Sequence, residues 1–109
     1  MICVSVTLDG EGCLRSLRAS GHSFLRGKAF SPACAAITAL LRTAAELFEA
    51  ESGLQTRVSL PEEGKMEVSI AGIPAALQGR CQGITDFLVC GLARIAAQAP
   101  DDLDFKVLQ

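Results

Sequence analysis

The sequence predicts an α+β fold, a mostly antiparallel sheet in the order ββαββαβ with two long helices packed on one face. Three observations support this. Short segments of alternating apolar and polar residues occur in pairs, turn-forming residues join each pair, and a longer segment with apolar residues at helical spacing follows each pair. The chain has 109 residues, of which 50% are hydrophobic, which fits a single domain over residues 1–109.

The first strand pair is predicted near the N-terminus. Apolar residues at every second position indicate a strand over about residues 2–8. The turn-forming run at 9–12 and a weaker alternation over 13–20 predict a second strand that pairs with the first as a hairpin. Gly21 ends this second strand. The stretch from there to Phe30 has no clear periodicity and is predicted to be a mobile loop.

The first helix has a marked start. Ser31 provides a capping hydroxyl, and Pro32 stands at the first helical position, where its missing N–H costs nothing. Gly53 is a plausible stop, so the helix is expected over about residues 32–51. Its apolar stripe has helical spacing and consists of Ile37, Leu40, Leu41, Ala44, Leu47 and Phe48.

The second half of the chain repeats the pattern. Alternating residues over 54–60 and 66–70, separated by a turn at 61–64, predict a second hairpin. A second helix is expected over about 75–98, and a short final strand over 103–107. The inner face of this helix is predicted to consist of Leu77, Cys81, Ile84, Leu88, Leu92 and Ile95. Gly79 and Gly83, four residues apart, would permit close approach of another element, within the monomer or across a dimer.

The chain has five cysteines, an odd number, and none forms a Cys-x-x-Cys pair. Neither a disulfide framework nor a ribbon-type zinc site is therefore expected, and no metal or cofactor is predicted. We expect Cys3 and Cys13 on strands, and Cys81 on the second helix, to lie in the core. No apolar window is long enough for a membrane span, and the N-terminus lacks signal-peptide features, so a cytoplasmic protein without membrane contact is expected.

His22, the only histidine, and Cys34 form the candidate chemical pair. With Ser31 as the cap, Cys34 is the third helical residue, where unpaired N–H groups and the helix dipole stabilise a thiolate. His22 could accept and return protons. Taken singly, His22 also fits a polar loop or capping role, and Cys34 also fits a small buried side chain.

Charge leads to an alternative hypothesis. The net charge is −2, yet the window from residue 12 to residue 45 has no acidic residue and carries five cations, Arg15, Arg18, Arg26, Lys28 and Arg42. A non-enzymatic module could bind ribosomal RNA or protein through the basic segment 15–42. Five charges without interleaved aromatic residues are a small footprint for this purpose, so direct nucleic-acid binding is not expected.

The motif around the pair resembles a known family. Gly21-His22-Ser23, a spacer containing Gly27, and the run from Ser31 through Cys34-Ala35-Ala36 are similar to the Prp family of ribosomal-processing cysteine proteases. That family has Gly-His-Ala, then a glycine-containing loop, then Asp-Ile-Val-Cys-Ala-Ala opening a long helix. This chain has Ser23 in place of the alanine and Ser31 in place of the aspartate.

The resemblance implies a function. His22 would be the base and Cys34 the nucleophile of a dyad, while Gly21, Ser23, Gly27 and Ser31 would belong to the substrate loop. The partners implied are a second copy of the chain, in a homodimer, and a large-subunit ribosomal protein precursor, whose N-terminal extension would be removed after a short hydrophobic sequence. Serine caps a helix as aspartate does, so the helix start should survive the substitution.

Overall fold

The fold is described from a computed structural model, which describes residues 1–21, 32–62 and 64–109. It confirms the predicted α+β class and the order ββαββαβ. The elements are β1 (Ile2–Leu8), β2 (Leu14–Ser20), α1 (Pro32–Ala50), β3 (Gln55–Ser59), β4 (Lys65–Ala71), α2 (Gln78–Gln98) and β5 (Leu103–Leu108). A single 3-10 turn at Ala75–Leu77 replaces the first residues predicted for the second helix.

The five strands form one sheet in the order β3-β4-β2-β1-β5. Both predicted hairpins are present and antiparallel, β2 also pairs antiparallel with β4, and only β5 runs parallel to its neighbour β1. Val6 pairs with Leu17, and Leu17 pairs with Val68. Residues paired across strands share a face, so these three buried side chains form a row on one side of the sheet.

The core lies between that side of the sheet and the two helices. α1 buries Ile37, Leu41 and Phe48, and α2 buries Leu88 and Leu92, much as the helical spacing predicted. Leu77, Ile84 and Ile95 of the predicted inner face are only partly buried and pack against this core. Neither described helix covers the other side of the sheet, which we call the open face.

A buried threonine connects α2 to the first hairpin. The pairing of β1 with β2 shifts between Thr7 and Leu8, which leaves Arg15 as an extra residue in β2. Next to this bulge, the N–H of Leu14 donates a hydrogen bond to Oγ1 of Thr85, at 3.0 Å. Thr85 is buried because it supplies the acceptor that a buried backbone donor requires.

One prediction about the cysteines is wrong. Cys3 is exposed, because it alternates along β1 with the buried Ile2 and Val4 and therefore points to the open face of the sheet. Cys13 and Cys81 are buried, as predicted, and Cys90 is exposed on α2.

The glycine pair on α2 faces open space. A Cβ built at Gly79 or Gly83 would meet no atom within 4 Å, so the predicted close approach does not occur within the described chain. Among residues 1–21, 32–62 and 64–109, no helix is long and apolar enough to cross a membrane.

Candidate active site

Cys34 lies where the helix start predicted it. α1 begins at Pro32, which makes Cys34 its third residue. Its side chain is buried, with 6% of its surface exposed, and its carbonyl oxygen accepts a hydrogen bond from Oγ1 of Thr38 at 2.9 Å. The thiol is thus held in the first turn of a helix, where the N-terminal end of the helix dipole favours a negative charge.

Of the other predicted site residues, only Gly21 is among those that the structure describes. Outside the described residues lie His22, Ser23, Gly27 and Ser31, and with them the loop predicted from Gly21 to Phe30 beyond its first residue. Gly21 is described and directly follows β2, so the chain leaves the sheet towards His22 from the end of a central strand.

Gly21 is enclosed by backbone from two other segments. Its N–H donates a hydrogen bond to the carbonyl of Gly64, at 2.9 Å. A Cβ at Gly21 would lie 2.9 Å from Cα of Ile2, and a Cβ at Gly64 would lie 2.9 Å from the carbonyl oxygen of Gly21. Gly64 also has a φ of +81°, in the left-handed region that glycine favours. Both positions therefore require glycine, because the turn at Gly64 packs directly against the backbone of Gly21 at the end of β2.

The importance of Gly64 was not predicted. The run Pro61-Glu62-Glu63-Gly64 indicates a turn, which is correct for the connection between β3 and β4. The sequence does not indicate that this turn contacts the end of β2, because that contact depends on how the two hairpins pair with each other.

The described cations of the basic segment 15–42 do not form one patch. Arg18 alternates with the buried Leu17 and Ala19, so it points to the open face of the sheet, whereas Arg42 lies on α1, on the opposite side. Nε of Arg18 is 3.9 Å from Oε2 of Glu67, an exposed pair that contributes little to stability.

The two buried thiols outside the site, Cys13 and Cys81, are expected to be unreactive. Burial raises the pKa of Cys13 above its ordinary value of 9.0, and nearby Asp9 raises it further. Burial likewise raises the pKa of Cys81, and Glu51 adds to this effect while Arg80 opposes it. Both thiols therefore stay protonated at neutral pH, and protonated thiols are poor nucleophiles.

A wide apolar groove lies between the helices on the outside of the molecule. Its volume is about 610 Å³. Phe87, on its rim, is 73% exposed, and Leu47 is 39% exposed. The remaining lining residues come from both helices and are Ala39, Leu40, Thr43, Ala44, Arg80, Gly83, Ile84 and Leu88. None of them belongs to the segment that carries His22 and Cys34.

The fold is similar to that of several solved structures. The ribosomal processing protease Prp from S. aureus, in complex with a covalently linked product peptide, has 16% identity, and the match covers 98% of this chain and 99% of that one with a TM-score of 0.78. The protein SMU.848 from Streptococcus mutans has 19% identity, with coverages of 99% and 94% and a TM-score of 0.79.

A further structure of the S. aureus protease, in complex with a substrate peptide, has 15% identity and a TM-score of 0.77, with coverages of 98% and 99%. Among curated proteins, no sequence matches the chain at a significant level. The family described as cysteine protease Prp matches residues 1–104. Since this match extends over nearly the whole chain, the protein belongs to the Prp family and is a cysteine protease.

Proposed function

We propose that the chain is an endopeptidase of the cytoplasm that removes an N-terminal extension from a large-subunit ribosomal protein, with Cys34 as nucleophile and His22 as base. The observation that carries the proposal is the position of Cys34 in the first turn of α1, in a chain of the Prp family. Residues 1–109 act as one protease domain, and Gly21, Ser23, Gly27 and Ser31 contribute to the substrate loop.

The reaction follows from a thiolate and an imidazole. Sγ of Cys34 attacks the peptide carbonyl carbon, and the negative charge that develops on oxygen is stabilised by N–H groups of the first helical turn. His22 then protonates the departing amine, the C–N bond breaks, and a thioester remains. Water, deprotonated by His22, hydrolyses the thioester and releases the thiol.

The substrate assignment rests on similarity. The S. aureus protease is a ribosomal processing protease whose structures contain a product peptide, covalently linked, and a substrate peptide. A covalently linked product is what thiolate attack on a peptide carbonyl would leave. Because this chain has Gly-His and Cys-Ala-Ala motifs that resemble those of the family, we assign the same class of substrate to it.

Cleavage of a defined precursor tests the substrate. We expect the wild-type protein to shorten a large-subunit ribosomal protein that carries a hydrophobic N-terminal extension, at one bond, as read by mass spectrometry. The control is the same ribosomal protein without the extension, which should remain uncut. Cutting at many bonds, or equal cutting of both forms, would contradict a processing role.

We further propose that the protein is a homodimer formed through the outer face of α2. One side of this helix is exposed and lies beside the apolar groove. It consists of Gly79, Gly83, Phe87 and Cys90. Phe87 of one copy can enter the groove of a second copy at the space that Gly83 leaves open. A patch and a groove on the same face are self-complementary, as a two-fold interface requires.

Charge favours the same arrangement. Arg80 lies three residues before Gly83 and Asp86 three residues after it, both exposed. If two copies of α2 cross antiparallel at Gly83, Arg80 faces the partner's Asp86. Nε of Arg80 already lies 2.8 Å from Oε1 of Glu51, and the remaining donors of its guanidinium can reach a second carboxylate.

Phe87→Asp is therefore expected to convert a dimer into a monomer, because it places a charge at the centre of an apolar contact. Light scattering coupled to size exclusion measures the mass. Leu108→Asp changes another exposed apolar residue, on β5, and as the matched control it should leave the dimer intact. A monomeric wild type, or a Phe87→Asp protein that remains dimeric, would refute this interface.

A further inference from the structure

We propose that Gly64, in the turn between β3 and β4, is a positioning residue for His22. The inference rests on the proposed dyad and adds a residue that the catalytic motif does not contain. The geometry that carries it lies entirely in described residues. Gly64 accepts a hydrogen bond from the N–H of Gly21 at 2.9 Å, and its α-carbon lies so close that a Cβ would sit 2.9 Å from the carbonyl oxygen of Gly21.

The contact acts on His22 through a shared peptide plane. The carbonyl of Gly21 and the N–H of His22 belong to one rigid peptide unit, so a shift of that oxygen rotates the unit and moves Cα of His22. Gly21 has no side chain to restrict its own torsions. The direction in which the chain leaves β2 is therefore set by its neighbours. These are Gly64 and Ile2, whose Cα lies 2.9 Å from a Cβ built at Gly21.

Gly64→Ala tests the role, and Gly12→Ala is its matched control. The two glycines have nearly the same φ, +81° and +80°, so alanine is placed in the left-handed region at both. A Cβ at Gly12, however, would meet nothing within 4 Å, whereas a Cβ at Gly64 would press on the carbonyl of Gly21. The difference between the two variants therefore isolates the contact.

We expect Gly64→Ala to lower kcat for the precursor by about 10- to 100-fold with KM within about twofold, since a misplacement of roughly 1 Å has an effect of this size. Gly12→Ala should keep kcat within about twofold of wild type. The pH dependence of Cys34 alkylation provides a second readout. Its midpoint should rise in Gly64→Ala and in His22→Ala, because a displaced or absent imidazolium no longer stabilises the thiolate. It should stay unchanged in Gly12→Ala.

The outcomes separate the two claims. If His22→Ala changes neither cleavage nor the alkylation midpoint, the dyad is wrong. If His22→Ala changes both while Gly64→Ala matches Gly12→Ala, the dyad stands and the positioning role is refuted. Should Gly64→Ala not fold, a chain synthesised with an ester in place of the Ser20–Gly21 amide removes the N–H donor to Gly64 without adding a side chain. A wild-type kcat and midpoint in the ester protein would overturn the proposal.

Discussion

Cys34→Ala is expected to abolish proteolysis, with kcat for a ribosomal precursor lowered roughly 10⁶-fold, the order of loss seen when a serine protease loses its nucleophile. The reason is chemical: alanine cannot form the thioester through which the reaction passes. The buried Cys13 and Cys81 cannot replace it, because burial raises the pKa of both thiols and keeps them protonated. The measurement is the rate of product formation by mass spectrometry under single-turnover conditions.

The matched control is Cys3→Ala, which removes an exposed thiol from the open face of the sheet. It should cleave at the wild-type rate. If Cys34→Ala retained more than a few percent of wild-type activity, the nucleophile would have to be sought elsewhere in the chain.

Leu41→Ala should cost about 2–5 kcal/mol of unfolding free energy, because it removes most of a fully buried side chain and leaves a cavity between α1 and the sheet. Leu41 is 1% exposed, on the face of α1 that also buries Cys34 and Ile37. The melting temperature should fall by roughly 10 °C or more in a chain of this length.

Leu60→Ala makes the same substitution at a residue that is 56% exposed, and it should change the unfolding free energy by less than about 0.5 kcal/mol. Chemical denaturation of both variants measures the difference. Equal losses in the two would mean that α1 does not pack on the sheet through Leu41.

The order and type of the elements were predictable because each element carries its own period. The apolar pattern of an element shows which of its sides is buried, as in the alternation over 2–8 and 66–70 and in the helical stripe of α1. The start of α1 was predictable to the residue, because Ser31 and Pro32 are local signals. Periodicity does not show which strands are neighbours in the sheet. The strand order and the parallel pairing of β1 with β5 are therefore known only from the structure.

The misses have two different origins, a contact that only the fold creates and an alternation pattern that was not followed. Thr85 is not among the residues predicted for the inner face of α2, yet it is buried because its hydroxyl accepts a hydrogen bond from the N–H of Leu14 beside the bulge. Cys3 was predicted to lie in the core because it stands on a strand, although its own alternation with Ile2 and Val4 indicated the open face.

In the candidate site, too, local features were predictable from the sequence and contacts between distant segments were not. The placement of Cys34 in the first turn of a helix follows from local sequence and is confirmed. Its pairing with His22 depends on two segments meeting in space, and it stays a prediction. The contact of Gly64 with Gly21 had no signal beyond a turn motif, because it joins residues from two different hairpins.

Covalent trapping tests the central claim, that Cys34 is the nucleophile of this protease, most directly. The wild-type protein is treated with a peptide of the ribosomal extension that ends in a chloromethyl ketone, and the adduct is located by peptide mapping. One equivalent should be found on Cys34, competed by the precursor and greatly slowed in His22→Ala. An adduct on the exposed Cys3 or Cys90 instead, or no adduct at all, would contradict the assignment.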